Sequence, residues 1–246
     1  MTTLHRIWLV AIGVSIAALG IPAPVGAAPV NLVANGDFSG GISDFGSDYA
    51  VTGLGWDPAT FTVTDDPALW HPSFVTVGDH TSGTGQMFVG NGSTVPGGTV
   101  WKSQTIDVVG GLDYYFEAFV SNVCCDDFLR QSGQSLLDFR LSFNGGLSRS
   151  LGIRQTDTMR PGLWSGLSTD WMSEDAGSVT LSLVDLTSIY DANDFAIDDV
   201  YFGAGSSLTS PDPVPEPASV LLLLTGLPLA RAAYQRRAAR QTSRAL

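Results

Sequence analysis

The sequence predicts an all-β sandwich, on three observations. Glycine is abundant, with 28 in 246 residues. Turn signals recur at intervals of roughly 8–15 residues, and runs that alternate apolar and polar side chains outnumber runs of helical period. Taken in order, Asn31 to Phe38 (NLVANGDF) reads as a short strand with an Asn-Gly turn, and Phe61 to Thr64 as a brief strand. Gln86 to Asn91 (QMFVGN) is an apolar strand ending in Asn-Gly, followed by a loop through Pro96-Gly97-Gly98. Val100 to Val109 reads as one longer strand closed by Gly110-Gly111.

The alternation is clearest in Tyr114 to Val120. Successive side chains in a strand point to opposite faces, so Tyr114, Phe116, Ala118 and Val120 share one face and Tyr115, Glu117 and Phe119 the other. Leu137 to Asn144 follows the same pattern, with Leu137, Phe139, Leu141 and Phe143 on one side and Asp138, Arg140, Ser142 and Asn144 on the other. Val179, Leu181 and Leu183 define another inward face, and Phe195 to Phe202 the last strand. Trp164 to Ala176 (WSGLSTDWMSEDA) reads as loop or short helix.

The two ends differ from this body. Arg6 precedes an apolar run, Ile7 to Ile21, and Val25-Gly26-Ala27 supplies the small residues of a signal-peptidase site, so cleavage is expected after Ala27. At the other end stands VPEPASVLLLLTGLPLARAAYQRRAAR, Val214 to Arg240. Its apolar core, Ala218 to Ala230, is 13 residues, short of the ~20 of a comfortable membrane span. The order Val214-Pro215-Glu216-Pro217, apolar segment, then Arg231, Arg236, Arg237 and Arg240 resembles the PEP-CTERM sorting tail of exported proteins of Gram-negative bacteria. That resemblance implies a short transmembrane helix held transiently in the inner membrane with its arginines on the cytoplasmic side. It further implies cutting near the Pro-Glu-Pro by an exosortase, and a final place at the cell surface or in the extracellular matrix. The expected organisation is a signal peptide (1–27), a sandwich (28–205), a Ser/Pro linker (206–213) and the sorting tail (214–240).

Charge is distributed unevenly. Of the 12 Lys and Arg, six (Arg6, Arg231, Arg236, Arg237, Arg240, Arg244) lie in the ends, whereas Glu216 is the one acid of 24 there. The body keeps six bases and 23 acids, a formal charge near −17. Such a surface repels nucleic acid and anionic lipid. It suits divalent cations or neutral glycans, or serves solubility alone. Cys124 and Cys125 are neighbours and cannot staple distant segments. They are open to a vicinal disulfide, a bridge to another chain or no role.

The opening NLVANGDF, the middle GDHTSGTGQMFVGNGSTVPGGTVWKSQTIDV and the closing NDFAIDDVYF resemble the jelly-roll, galactose-binding-like domains grouped with carbohydrate-binding modules. The similarity runs from about Asn31 to Phe202. It implies an opening strand paired near the closing one, and a structural Ca²⁺ between them with Asp37, Asp198 and Asp199 as ligands. Ser39 stands where those domains often carry Glu. A saccharide site needs an aromatic platform and polar groups for hydroxyls. If the Tyr114 and Leu137 strands lie side by side, Tyr115, Glu117, Phe119, Asp138, Arg140 and Asn144 form such a face.

Catalytic signals are absent from the sequence. Beyond the signal segment only His71 and His80 remain, and no nucleophile elbow, zinc motif or phosphate loop is present. Asp79-His80 is at most half of a relay. The expectation is a non-enzymatic domain that binds extracellular polysaccharide. The alternatives are an adhesive matrix protein without a sugar site and a polysaccharide hydrolase whose paired acids meet only in space.

Overall fold

The computed structural model describes residues 30–125, 133–189 and 192–205. They lie within a compact unit spanning residues 28–209. The expected cleavage at Ala27, the linker, the Val214-Pro215-Glu216-Pro217 motif, the apolar tail and Arg236 and Arg237 all lie outside the described residues. Among those described, no helix is long and apolar enough to cross a membrane.

Among the described residues, twelve strands and one short helix follow in order. They are β1 (Phe45–Gly46), β2 (Ala50–Val51), β3 (Thr60–Thr64), α1 (Pro67–Trp70), β4 (Met87–Asn91), β5 (Gly98–Ser103) and β6 (Ile106–Val108). Then come β7 (Leu112–Asn122), β8 (Leu136–Phe143), β9 (Arg149–Gln155), β10 (Ser165–Ser173), β11 (Gly177–Asp185) and β12 (Phe195–Ala204). One sheet runs β1-β5-β11-β8-β9, with β6 also on β11; the other runs β10-β7-β12-β4-β3-β2. The predicted all-β jelly-roll sandwich is the fold observed.

The core is the sum of the inward faces. Tyr114, Phe116, Ala118 and Val120 of β7 pack with Phe88, Ile197, Val200 and Phe202 from their own sheet, and with Leu137, Phe139, Leu141, Val179, Leu181 and Leu183 from the other. Phe116 meets Phe139 across the sandwich with ring centroids 5.4 Å apart. Burial of such side chains, about 1.5–3 kcal/mol each, drives the two sheets together. A second cluster at one side contains Trp70, Phe74, Met87, Val89 and Ala196, with Cys124 and Cys125 joined as a vicinal disulfide and buried among them.

Three expectations are corrected. The segment Val100 to Val109 divides into β5 and β6 around Gln104-Thr105, and both pieces pair with β11. The segment after Trp164 forms β10, nine residues long, antiparallel to β7 from Ser165↔Val120 to Ser173↔Leu112. It is an edge strand, so its outward residues Ser168, Asp170 and Met172 are exposed and its apolar alternation is diluted. The opening residues 30–38 form turns and no regular strand, yet they do lie on β12. The Leu32 amide donates to Phe202 O at 2.7 Å and the Val200 amide to Gly36 O at 2.9 Å. Gly36 is required there, because a Cβ would stand 2.0 Å from Val200 O.

Candidate functional site: a pocket on the outer face of one sheet

The outward residues of β7 and β12 stand side by side, since Tyr201 pairs with Glu117 and Asp198 with Phe119. Between Asp198 and Tyr201 the register slips. Ile197, Val200 and Phe202 are buried in the core, so the extra residue leaves Asp198 and Asp199 both on the outer side, with Asp199 at φ 49°. Such a bulge re-aims side chains without breaking the strand.

The two aspartates hold the loop that precedes β4. Asp198 Oδ2 accepts the backbone N–H of His80 at 2.8 Å and of Thr81 at 3.3 Å. Asp199 Oδ2 lies 2.7 Å from His80 Nδ1, and Asp199 Oδ1 accepts from the Thr81 hydroxyl. Asp79 closes the same loop on itself, accepting Ser82 N at 2.9 Å and Gly85 N at 2.6 Å. Trp164 adds a bond from Nε1 to Gly78 O at 3.1 Å. The loop therefore lies on the sheet with the His80 ring flat against Phe119, centroids 3.6 Å apart and planes 15° from parallel. Gly166 pairs opposite Phe119, and a Cβ there would come within 2.9 Å of its ring.

These elements and the opening turn enclose a pocket of about 550 Å³ lined by Asn31, Val33, Asn35, Gly36, Asp37, His80, Glu117, Phe119, Asp199 and Tyr201. Pockets for small ligands commonly measure ~300–1,000 Å³. Its floor is aromatic and its rim acidic. Asp198, beneath the loop and fully buried, has its carboxyl pushed up to about 6, chiefly by loss of hydration and then by the neighbouring Asp199 charge. Backbone N–H bonds from His80 and Thr81 act in the opposite direction. Burial also raises Tyr201, whose hydroxyl is buried without a hydrogen-bond partner among the described residues.

The structure divides the predicted saccharide face. Glu117 and Phe119 line the pocket. Tyr115 is buried behind them and its hydroxyl donates to Glu117 Oε1 at 3.1 Å, so it orients the acid. Asp138, Arg140 and Asn144 do not share this face. They belong to β8 and its following turn, and β8 is in the other sheet. There Asp138 is held by Arg140 Nε at 2.7 Å and by the Ser150 hydroxyl, and Asn144 Oδ1 caps the Ser178 amide at 2.8 Å. The three acids expected to bind calcium meet only in part. Asp37 and Asp199 line one pocket, while Asp198 lies under the loop. As placed, they do not fit a calcium site: among the described residues no group of three or more His, Cys, Asp or Glu side chains could hold a metal ion. Asp79 is not the partner of His80; Asp199 is. Sequence reading weighed His80 only as half of a relay with Asp79, and it missed Asn31, Asn35 and Tyr201. The Asn31-Asn35 pair flanking the opening turn was the available signal.

No family model and no curated protein matches the chain. Several solved structures resemble it at low identity. A CBM61 module in complex with β-1,4-galactotriose is 15% identical, with a TM-score of 0.46 over 72% of this chain and 99% of that one. The CBM22-1-CBM22-2 tandem domain of Paenibacillus barcinonensis Xyn10C is 14% identical, with a TM-score of 0.45 over 73% and 47%. An arabinose-bound MgGH51 α-L-arabinofuranosidase is 12% identical, with a TM-score of 0.47 over 71% of this chain and 26% of the enzyme.

Proposed function

We propose that the sandwich is a non-catalytic saccharide-binding domain of an exported protein. One observation carries the reading: a rigid aromatic floor, His80 stacked at 3.6 Å on Phe119, opens into a pocket rimmed by Asn31, Asn35, Asp37, Glu117 and Asp199. Sugars present an apolar ring face and a girdle of hydroxyls, and such a floor and rim complement both. His80 Nδ1 is committed to Asp199 and its ring to Phe119, so it is placed as part of the floor.

The export half of the proposal comes from the two ends. Signal peptidase would cut after Ala27 and an exosortase near Val214-Pro215-Glu216-Pro217, with Arg236 and Arg237 holding the tail at the inner membrane beforehand. The product would be a surface or matrix protein that contacts extracellular polysaccharide.

A glycan array with residues 28–209, run with and without Ca²⁺, tests the binding half. Binding lost in Phe119→Ala with unchanged melting is the expected result. No binding to any glycan in either condition would leave an adhesive protein without a sugar site as the better account. Mass spectrometry of the protein recovered from the envelope tests the processing half; an intact Val214–Leu246 segment would defeat it.

A further inference from the structure

The pocket is rich in acceptors and has few free donors. The Asn31 amide spends its Nδ2 on Val200 O at 2.9 Å, and the Asn35 Nδ2 serves both Gly41 O and Ser43 O at 2.9 Å. His80 Nδ1 is bonded to Asp199. What faces the space is carboxylate: Asp37, whose Oδ1 is bonded by the Ser39 amide and hydroxyl, Glu117, whose Oε1 takes the Tyr115 hydroxyl, and the flank of Asp199. One further oxygen on each of Asp37 and Glu117 receives no hydrogen bond from the described residues. The Tyr201 hydroxyl, buried without a partner, belongs to the same lining. Among the described residues, no Lys or Arg lines the pocket and none occurs in any strand of this sheet.

A ligand that matches such a lining supplies donors and positive charge. A hydroxyl both donates and accepts, whereas an alkylammonium offers three donors and no acceptor. A uronate, sulfate or phosphate ester would bring like charge to carboxylates with no cation to offset it. Resting on the saccharide-binding reading above, we infer that the pocket selects amino sugars. A pyranose ring would lie on the Phe119–His80 floor, and its free ammonium would sit between Glu117 and Asp37. The formal charge near −17 on the body would draw a polycationic glycan toward the protein before it docks.

Isothermal titration of residues 28–209 at pH 6 tests this, with three tetrasaccharides as probes: β-1,4-linked glucosamine, its fully N-acetylated counterpart and tetragalacturonate. The expected order is glucosamine at least ten-fold tighter than the acetylated form, with no binding of the uronate. Glucosamine affinity should fall several-fold between 20 and 500 mM NaCl, because a partly exposed ion pair is screened. In Asp37→Asn/Glu117→Gln the preference should shrink below two-fold, because glucosamine loses more affinity than the acetylated probe does. Phe119→Ala should lose both. Equal or tighter binding of the acetylated form overturns amino-sugar selection and leaves saccharide binding standing. A preference that survives Asp37→Asn/Glu117→Gln, or glucosamine binding that survives Phe119→Ala, places the cation elsewhere on the acidic surface and also overturns it. Failure of every probe, together with an empty glycan array, removes both readings.

Discussion

The two sheets bury equivalent faces and expose different ones. Inward, β7 and β8 present Phe116 and Phe139 to one shared core. Outward, the β8 sheet carries Lys102 and Arg140 on its strands, and Arg140 neutralises charge locally in the Asp138–Arg140–Ser150 group. The β7 sheet carries acids without any Lys or Arg, a bulge that turns two aspartates outward, and a loop laid over it. A face whose charges are paired within itself is finished as a surface. A face that concentrates one sign around an aromatic floor is the one to which the proposed saccharide binding is assigned.

Four measurements test this contrast, beginning with the greatest change. The first concerns Asp198. Its folded-state carboxyl is raised to about 6, so the ionised form is disfavoured by folding. Its contribution is complete below the ordinary carboxylate value near 4 and is lost as pH rises through about 6. On the order of 3 kcal/mol is involved. Asp198→Asn should therefore gain on the wild type by a comparable amount between pH 4 and pH 7 in chemical denaturation; a constant difference would mean that the carboxylate is not desolvated. Second, Phe119→Ala should weaken glycan binding by at least ~2 kcal/mol, about thirty-fold or more, to the point of loss in titration. Third, Asp138→Ala, on the opposite face, should cost about 1–2 kcal/mol of stability by stranding Arg140 and Ser150, with glycan affinity unchanged. Fourth, Arg140→Gln should change stability by less than about 1 kcal/mol and affinity not at all. Any loss of binding in the last two would mean that the paired face contributes to recognition after all.

The alternation in β7, β8 and β11 was legible because side chains in a strand have a fixed period, and every residue assigned inward there is in or against the core. Which strands are neighbours was not legible. Consecutive strands β7 and β8 look like natural partners, yet they pair with β10 and β12, and with β9 and β11. Such pairings are non-local and leave no short-range mark in the sequence. The proposed face therefore contained the right β7 residues, Glu117 and Phe119, together with the wrong strand. The β12 bulge shows the same limit. Strict alternation from Ile197 would turn Asp199 inward, and only the slipped register brings Asp198 and Asp199 to one side. His80 looked like an ordinary loop residue because its partners lie about 40 residues away in β7 and more than 110 away in β12.

The close seating of the opening turn on β12 also has a mechanical meaning. Over its final residues β12 is bonded along one edge to β7, through Phe202↔Phe116 and Ala204↔Tyr114, and along the other to the opening turn, through Leu32 and Gly36. A load applied through the chain that leaves Ala204 would not peel an edge strand one bond at a time. It would have to shear two rows of hydrogen bonds together, drawing a strand lengthwise from between its neighbours, and that geometry resists traction from the side where the polypeptide continues.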